Sequence, residues 1–164
     1  MKEPLSIQNQ ARNLLDSAES EFLKGDFEDA MRLLDQAIDL LESANIDPTF
    51  FKAQRELWRL DHDQSKDFSR LISISEEGLA RYRKEQNPVK QIDTLLQIGG
   101  FVILQGEKDR AIQYLDEAEA MLSALPPEVI VSYLPLHDDI LAGERYINLR
   151  KNEINRWRKY IENK

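Results

Sequence analysis

Apolar residues recur at helical spacing along most of the chain, and turn residues interrupt them at intervals. In residues 95–122, one apolar face precedes Gly106 and a second follows it. The first face comprises Leu95, Ile98, Gly99, Val102 and Ile103, and the second comprises Ala111, Ile112, Leu115, Ala118 and Leu122. Spacings of three and four residues place such positions on one side of an α-helix. The pattern predicts two amphipathic helices joined at Gly106.

Small residues mark the expected crossing of these two helices. Gly99, Ala111 and Ala118 carry little or no side chain, so antiparallel helices can approach closely at these positions. The adjacent Gly99-Gly100 pair lies inside a helical pattern with no strand before it, unlike a phosphate-binding glycine loop. We interpret both glycines as packing residues.

A similar pattern opens the chain. Residues 18–41, AESEFLKGDFEDAMRLLDQAIDLL, resemble residues 99–122, GGFVILQGEKDRAIQYLDEAEAML, with a glycine and an acid at the turn and alanines at matching places. We predict a first helix from Pro4 to about Lys24 that ends at Gly25. The side chain of Asp26 should then cap the next helix by accepting its exposed amide hydrogens.

Proline signals mark the next two helix starts. Asp47-Pro48 and Asn87-Pro88 each place a capping residue before a proline, which suits the first helical turn. Between them we predict a third helix and, from Phe68, a fourth. This middle pair lacks a turn glycine and has Lys66 before Asp67, so the three turns fall 41 and 40 positions apart.

The C-terminal part is less regular. Pro126-Pro127 should end the sixth helix, and Pro135 should kink or divide a seventh helix over Val129–Leu141. A final helix over Glu144–Glu162 would bring the predicted total to eight helices. Its inward positions would be Tyr146, Ile147, Ile154, Trp157 and Ile161.

These features resemble the tetratricopeptide repeat (TPR) family, in which a small residue in the first helix, a turn glycine and alanines in the second helix recur. The resemblance covers residues 11–44 and 92–125, and spacing extends it to residues 50–86. The period of about 40 residues exceeds the family's usual period of about 34. Lengthened repeats also occur in the kinesin light chains and in bacterial peptide-sensing regulators.

The resemblance implies an all-α, TPR-like right-handed α-solenoid of helix-turn-helix repeats with a C-terminal capping helix. We expect a single domain over residues 1–164. Its repeat units would span about 5–44, 48–86 and 88–125, followed by a degenerate unit and capping helix over 126–164.

The family's binding surface is a concave groove lined by the first helix of each repeat. By position, the resemblance implies that partner-binding residues are Arg12, Leu15, Glu19, Phe22, Leu60, Asp93, Leu96 and Ile103, with Glu56, Asp63 and Gly100 beside them. Leucines at several of these positions favour an apolar groove for a partner helix. The alternative is that the same leucines belong to the core.

One recognition mode of the family is disfavoured. Some members hold a peptide's terminal carboxylate with lysine, arginine and asparagine side chains through charge-assisted hydrogen bonds. At comparable positions this chain has Leu15, Glu19, Leu96 and Gly100, which offer no cationic donor. We therefore do not expect recognition of chaperone C-terminal tails.

Composition narrows the function classes. With 30 acidic and 22 basic residues, the net charge of −8 opposes general affinity for nucleic acid or anionic lipid. The chain has no cysteine, no signal-peptide pattern and no apolar run of the length that a membrane span needs. We expect a cytoplasmic protein that binds a protein or peptide, such as an amphipathic helix, and neither nucleic acid nor membrane.

We expect no enzyme activity and no cofactor. The two histidines lie beside acids, in Asp61-His62-Asp63 and His137-Asp138-Asp139, but two such ligands are too few for a catalytic metal. A metal-dependent helical hydrolase is therefore a remote alternative to a non-catalytic scaffold or adaptor.

Charge is unevenly spread along the chain. Residues 1–50 hold 4 basic and 11 acidic residues, whereas residues 144–164 hold 7 basic and 3 acidic residues. An uneven charge distribution is common on solvated surface helices, but oppositely charged ends could also favour head-to-tail contacts between copies. A self-associating homo-oligomer is accordingly the main alternative function.

Overall fold

A computed structural model describes residues 4–134 and 140–163, and within these ranges the chain is all-α, with eight helices and no strand. The helices are α1 (Pro4–Leu23), α2 (Phe27–Ser43), α3 (Thr49–Asp63), α4 (Ser69–Lys84), α5 (Pro88–Leu104), α6 (Lys108–Ala124), α7 (Pro127–Val131) and α8 (Ile140–Glu162). The all-α fold class is confirmed.

The chain divides into two compact units, residues 1–74 and residues 75–164. Their boundary falls within α4. The single domain expected from the sequence stays a prediction, and each unit is described by itself below.

In the first unit, α1 and α2 pack as an antiparallel pair around small residues. Two buried clusters join the helices: Ile7, Ala11, Ala37 and Leu41 form one, and Ala18, Met31 and Leu34 form the other. The next helix, α3, runs antiparallel to α2. Two ion pairs join these helices, Lys52 to Glu42 at 2.8 Å and Arg55 to Asp35 at 2.6 Å.

In the second unit, α5 and α6 form the corresponding pair, and α8 packs against both helices. A Cβ atom added at Gly99 would lie 3.6 Å from side-chain atoms of Tyr114 and Leu115, which is ordinary contact distance. Gly99, Ala111 and Ala118 are all buried. The predicted close crossing of these helices is confirmed.

Five helices, α1 to α5, end in the same backbone conformation. Each is followed by a residue with positive φ, and these residues are Gly25, Asn45, Gln64, Gln86 and Gly106. In each case the next amide donates to a carbonyl five residues back, as Asp26 does to Glu21 at 2.9 Å and Ser65 to Leu60 at 2.9 Å. This pairing satisfies the last carbonyls of the helix. In the middle pair, the turn residue is Gln64 and not Lys66, so the predicted position was wrong by two residues.

Helix starts follow the sequence signals only in part. Asp26 stands at the N-cap of α2, but its side chain makes no capping hydrogen bond, so that prediction was wrong. The Asn87 side chain accepts from the amide of Lys90 at 3.1 Å, with Pro88 opening α5 as predicted. Asp47 accepts from the amide of Thr49 at 2.9 Å, so α3 begins one residue after Pro48.

In the C-terminal region, a seventh helix kinked or divided at Pro135 was predicted over Val129–Leu141. α7 is a single short helix that ends at Val131, and α8 begins at Ile140, four residues before the predicted start. Pro135 lies outside the described residues. The N-terminal part of α8 packs closely on α7, since a Cβ atom added at Gly143 would collide with the carbonyl oxygen of Pro127.

The turn glycines support a first prediction. Replacing Gly25 or Gly106 by alanine should lower the free energy of unfolding by about 1–2 kcal/mol, because φ values of 90° and 83° are strained for a residue with a Cβ atom. Urea denaturation measures this change. Asp26→Ala is the control and should cost less than about 0.5 kcal/mol, since no capping bond is lost. Equal stability of Gly25→Ala and wild type would contradict the assigned turn.

The two helical glycines of the second unit support another prediction. Gly143→Ala should destabilise the protein by about 1–3 kcal/mol or more, because backbone atoms of Pro127 occupy the space of the added methyl group. Gly99→Ala places its methyl group at ordinary contact distance, and helix propensity favours alanine by up to about 1 kcal/mol. Thermal and urea denaturation should therefore show that Gly143→Ala is less stable than wild type and that Gly99→Ala is more stable.

Candidate functional site

The residues expected to line the groove in the second unit lie against α8. Asp93 on α5 accepts hydrogen bonds from the Tyr146 hydroxyl at 2.7 Å and from Nε of Arg150 at 2.8 Å. The Tyr146 hydroxyl also lies 3.3 Å from the carbonyl oxygen of Val89. Asp93 therefore holds a helix of its own chain.

The apolar part of the same surface is also covered. Leu96 is only 1% exposed and Ile103 is buried. A Cβ atom added at Gly100 would meet the indole of Trp157 at 3.0 Å, so α8 lies directly on α5 at this point. Since Asp93 contacts Tyr146 and Gly100 contacts Trp157, the two helices run in the same direction. Any partner at Leu96 or Ile103 would first have to displace covering side chains.

An acid on the second helix of each pair holds the helix that packs on it. In the first unit, Asp35 on α2 binds Arg55 of α3. In the second unit, Asp116 on α6 accepts from Arg158 of α8 at 2.8 Å, and Glu119 lies 3.3 Å from the same guanidinium. Asp35 and Asp116 occupy matching positions when Gly25 is aligned with Gly106. The matching acids are therefore a sequence signal for this contact, which the apolar pattern alone does not reveal.

Electrostatics support the docking of α8. Burial raises the pKa of the Tyr146 hydroxyl well above its ordinary value, and the negative charge of Asp93 raises it further. The neutral hydroxyl thus donates to Asp93 over the normal pH range. Arg150 supplies the compensating positive charge and also binds Glu153 at 3.0 Å. These contacts form a local polar network between α5 and α8.

In the first unit, the predicted residues on α1 remain partly open. We call Arg12, Leu15, Glu19 and Phe22 the α1 stripe. Arg12 and Glu19 are exposed, whereas Leu15 and Phe22 are half-buried. The ring of Phe22 stacks on Trp58 of α3 at a centroid distance of 4.8 Å, and Leu15 packs at the edge of a core cluster. Compared with the matching positions on α5, the α1 stripe has more surface available for a partner.

The candidate residues on α3 are engaged within the first unit. Leu60 is buried in the core. Glu56 is also buried, and it accepts from Nε of Arg59 at 3.0 Å. Arg59 binds Asp63 at 3.0 Å as well. The hydrogen bond from His62 and the pairing with Arg59 lower the pKa of Asp63. Leu60 and Glu56 are therefore closed to a partner, whereas Asp63 is exposed and held by Arg59 and His62.

His62 belongs to the turn surface of the first unit. Its ring stacks on Phe27 at a centroid distance of 3.7 Å, and Nδ1 lies 3.1 Å from Oδ1 of Asp63. His62 also borders a shallow depression beside the α1–α2 turn, at residues 25–29. The second histidine, His137, and its acidic neighbours Asp138 and Asp139 lie outside the described residues.

Three carboxylates near this turn come close together, which the sequence reading did not anticipate. Oxygen atoms of Glu21, Asp26 and Asp29 lie within 4.8 Å of one another. Glu21 pairs with Lys24 and Asp29 with Arg32, each at 3.4 Å. Glu21 lies near the end of α1, Asp26 at the N-cap of α2 and Asp29 in the first turn of α2, and Lys24 and Arg32 partly balance their charge.

No family model, curated protein or solved structure matches the chain. The TPR resemblance therefore stays a prediction, and function is inferred from the residues themselves. None of the helices in the described ranges combines the length and apolar character that crossing a membrane demands.

The Tyr146 contact supports a prediction about pH. The free energy of unfolding should fall as the pH rises above about 10, because the unfolded chain loses the Tyr146 proton there while the folded chain keeps it. One retained proton contributes a slope of about 1.4 kcal/mol per pH unit. Urea denaturation from about pH 9 to about pH 11 measures the slope.

Two variants assign that slope to Tyr146. Tyr146→Phe should remove its contribution, whereas Tyr160→Phe changes an exposed tyrosine and should leave the slope as in wild type. An identical slope in wild type and Tyr146→Phe would show that this hydroxyl is not held as described.

Proposed function

We propose that this chain is a non-catalytic protein-interaction scaffold that receives a partner helix on the α1 stripe. The TPR-like right-handed solenoid remains the architecture that we propose for it. The observation that carries the proposal is the contrast between matching surfaces on α1 and α5. On α5 this surface already holds α8. On α1, Phe22 stacks on α3, but Arg12 and Glu19 are exposed and Leu15 is half-buried.

The match is residue by residue. Aligning Gly25 with Gly106 places Arg12 at the position of Asp93, Leu15 at that of Leu96, Glu19 at that of Gly100, and Phe22 at that of Ile103. On α5, Leu96 and Ile103 are buried beneath neighbouring side chains. Asp93 and Gly100 contact α8 itself. A surface of this type is therefore compatible with helix packing through both polar and apolar contacts.

The chemistry of the α1 stripe suits an amphipathic helix. Leu15 and Phe22 retain some apolar surface, and exposed Arg12 and Glu19 flank them with opposite charges. Helix-in-groove recognition uses apolar anchors at this spacing, while charged neighbours fix register and orientation. The stripe lacks a buried polar group that would call for a small-molecule ligand.

Self-association is the second candidate function. Leu23, at the end of α1, is 78% exposed, and Leu149, on α8, is 63% exposed. Contact with another protein would remove this apolar surface from water, which favours association. The metal-dependent hydrolase remains a remote alternative, since the contacts of His62 with Phe27 and Asp63 also fit a structural role.

Partner binding by the α1 stripe can be tested with one substitution at its centre. Leu15→Glu should weaken binding of proteins captured from the source lysate by at least about tenfold, because a charge replaces an apolar anchor. Captured proteins are identified, and their affinities for wild type and variant are measured with purified components.

Leu33→Glu is the matched control, since Leu33 is likewise a half-buried leucine beside the same core cluster but lies on α2. Circular dichroism must show equal helicity for both variants. Leu96→Glu should instead unfold the second unit, because Leu96 is buried. Equal binding by Leu15→Glu, Leu33→Glu and wild type would place the partner elsewhere.

A further inference from the structure

We infer that the α1 surface binds the outward face of α8 in a second copy of this chain. The inference rests on the proposed function, since it assigns an occupant to the same surface of α1. Three observations support it: the spacing of exposed residues on both helices, the position of the two exposed leucines, and the complementary charge of the two ends.

The outward face of α8 is basic and partly apolar. Its exposed residues are Leu141, Arg145, Leu149, Asn152, Arg156, Lys159 and Tyr160. Arg150 and Arg158, by contrast, bind acids on α5 and α6. Arg145, Arg156 and Lys159 form no ion pair with any residue in the described ranges. Their charge is therefore available to an acidic surface.

The outward face of α1 has a matching row of exposed residues. Arg12, Asp16, Glu19 and Leu23 follow one another at spacings of four, three and four residues. On α8 the same spacings separate Arg145, Leu149, Asn152 and Arg156. Alternating steps of three and four residues form the seam along which two helices pack side by side. The row on α1 shares Arg12 and Glu19 with the α1 stripe.

An antiparallel register pairs three residues of the α1 row with exposed residues of α8, and it places Glu19 opposite Glu153, whose charge Arg150 balances at 3.0 Å. If Leu23 lies opposite Leu149, then seven residues further along each helix Asp16 lies opposite Arg156, and four residues beyond that Arg12 lies opposite Tyr160. Leu23 and Leu149 are the most exposed large hydrophobic residues of their respective units within the described ranges. The register therefore buries both leucines, forms an ion pair and stacks a guanidinium on an aromatic ring.

A parallel arrangement lacks this agreement. Moving from Leu149 toward the start of α8 by the same seven residues reaches Ala142, which is buried. The opposite charges of residues 1–50 and 144–164 also favour an encounter between the two ends of different copies. Residue spacing, exposure and charge thus favour one occupant and one orientation.

The contact should be weak and sensitive to salt. The α1 row spans roughly 17 Å of helix, so a single helix pair buries less than the roughly 1,600 Å² of a standard protein interface. Exposed ion pairs contribute little at high ionic strength. We expect reversible association that rises with protein concentration and declines as salt increases.

Charge reversal tests the register in the full chain. Sedimentation equilibrium at several concentrations should show wild-type association at about 50 mM NaCl that is largely lost by about 500 mM. Asp16→Arg and Arg156→Glu should each reduce association at low salt, and an equimolar mixture of the two variants should restore it. The mixture recovers because each variant supplies the charge that the other variant now needs.

Matched controls distinguish the effect of a residue's position from the effect of changing the net charge. Asp39→Arg changes an exposed acid on α2, and Lys151→Glu changes an exposed base on α8 outside the row. Both controls should associate like wild type. Circular dichroism must show that all four variants remain helical.

Cross-linking provides a second readout, because the chain has no cysteine. Mixed Leu23→Cys and Leu149→Cys proteins should form a heterodimeric disulfide under mild oxidation faster than either variant forms a homodimer. Phe50→Cys, at another exposed site, should not replace Leu23→Cys in this reaction.

Monomeric wild type across all concentrations, or equal effects of row and control substitutions, would overturn the inference. If a lysate partner still depends on Leu15 in that case, the proposed function survives with a different occupant. If neither self-association nor any Leu15-dependent partner is found, both proposals fail.

Discussion

Close contact between paired helices at alanine and glycine is the constraint on which both units depend. Ala18, Ala30 and Ala37 are fully buried in the first unit, as Gly99, Ala111 and Ala118 are buried in the second. Larger residues at the crossing would separate the helices and open gaps between the flanking leucines. The short turns fix the pairing, and each pair then presents surface to a further helix.

Helix positions followed from the sequence because short-range physics sets them. Apolar spacing determines which face is buried, and Asn87-Pro88 determines where α5 begins. Other details depend on forces that the local sequence does not reveal. Gln64 and Gln86 adopt positive φ although glutamine has no special preference for this conformation. Asp26 occupies the N-cap position of α2, but its side chain forms no capping hydrogen bond.

The candidate site was predictable at the level of a helix face but not at the level of exposure. The TPR resemblance implied that Leu15 and Leu96 line one groove, whereas the structure gives them different surroundings: Leu15 is half-buried and Leu96 is fully buried. That difference arises from long-range packing, including the placement of α8 against α5, between segments more than 40 residues apart in the chain. The matching acids Asp35 and Asp116 were the sequence signal for the helix that packs on each pair.

The shared geometry of the helix ends has a consequence for how such a chain can change over time. Because five successive helices terminate with the same backbone conformation and the same hydrogen-bond pattern, the junctions are equivalent as points of joining. A hairpin gained or lost by recombination at these junctions would leave the neighbouring helix ends intact. Residues 44–46 and 85–87, which lie between successive helix pairs, are therefore natural breakpoints for exchanging one hairpin for another, in evolution or in protein engineering.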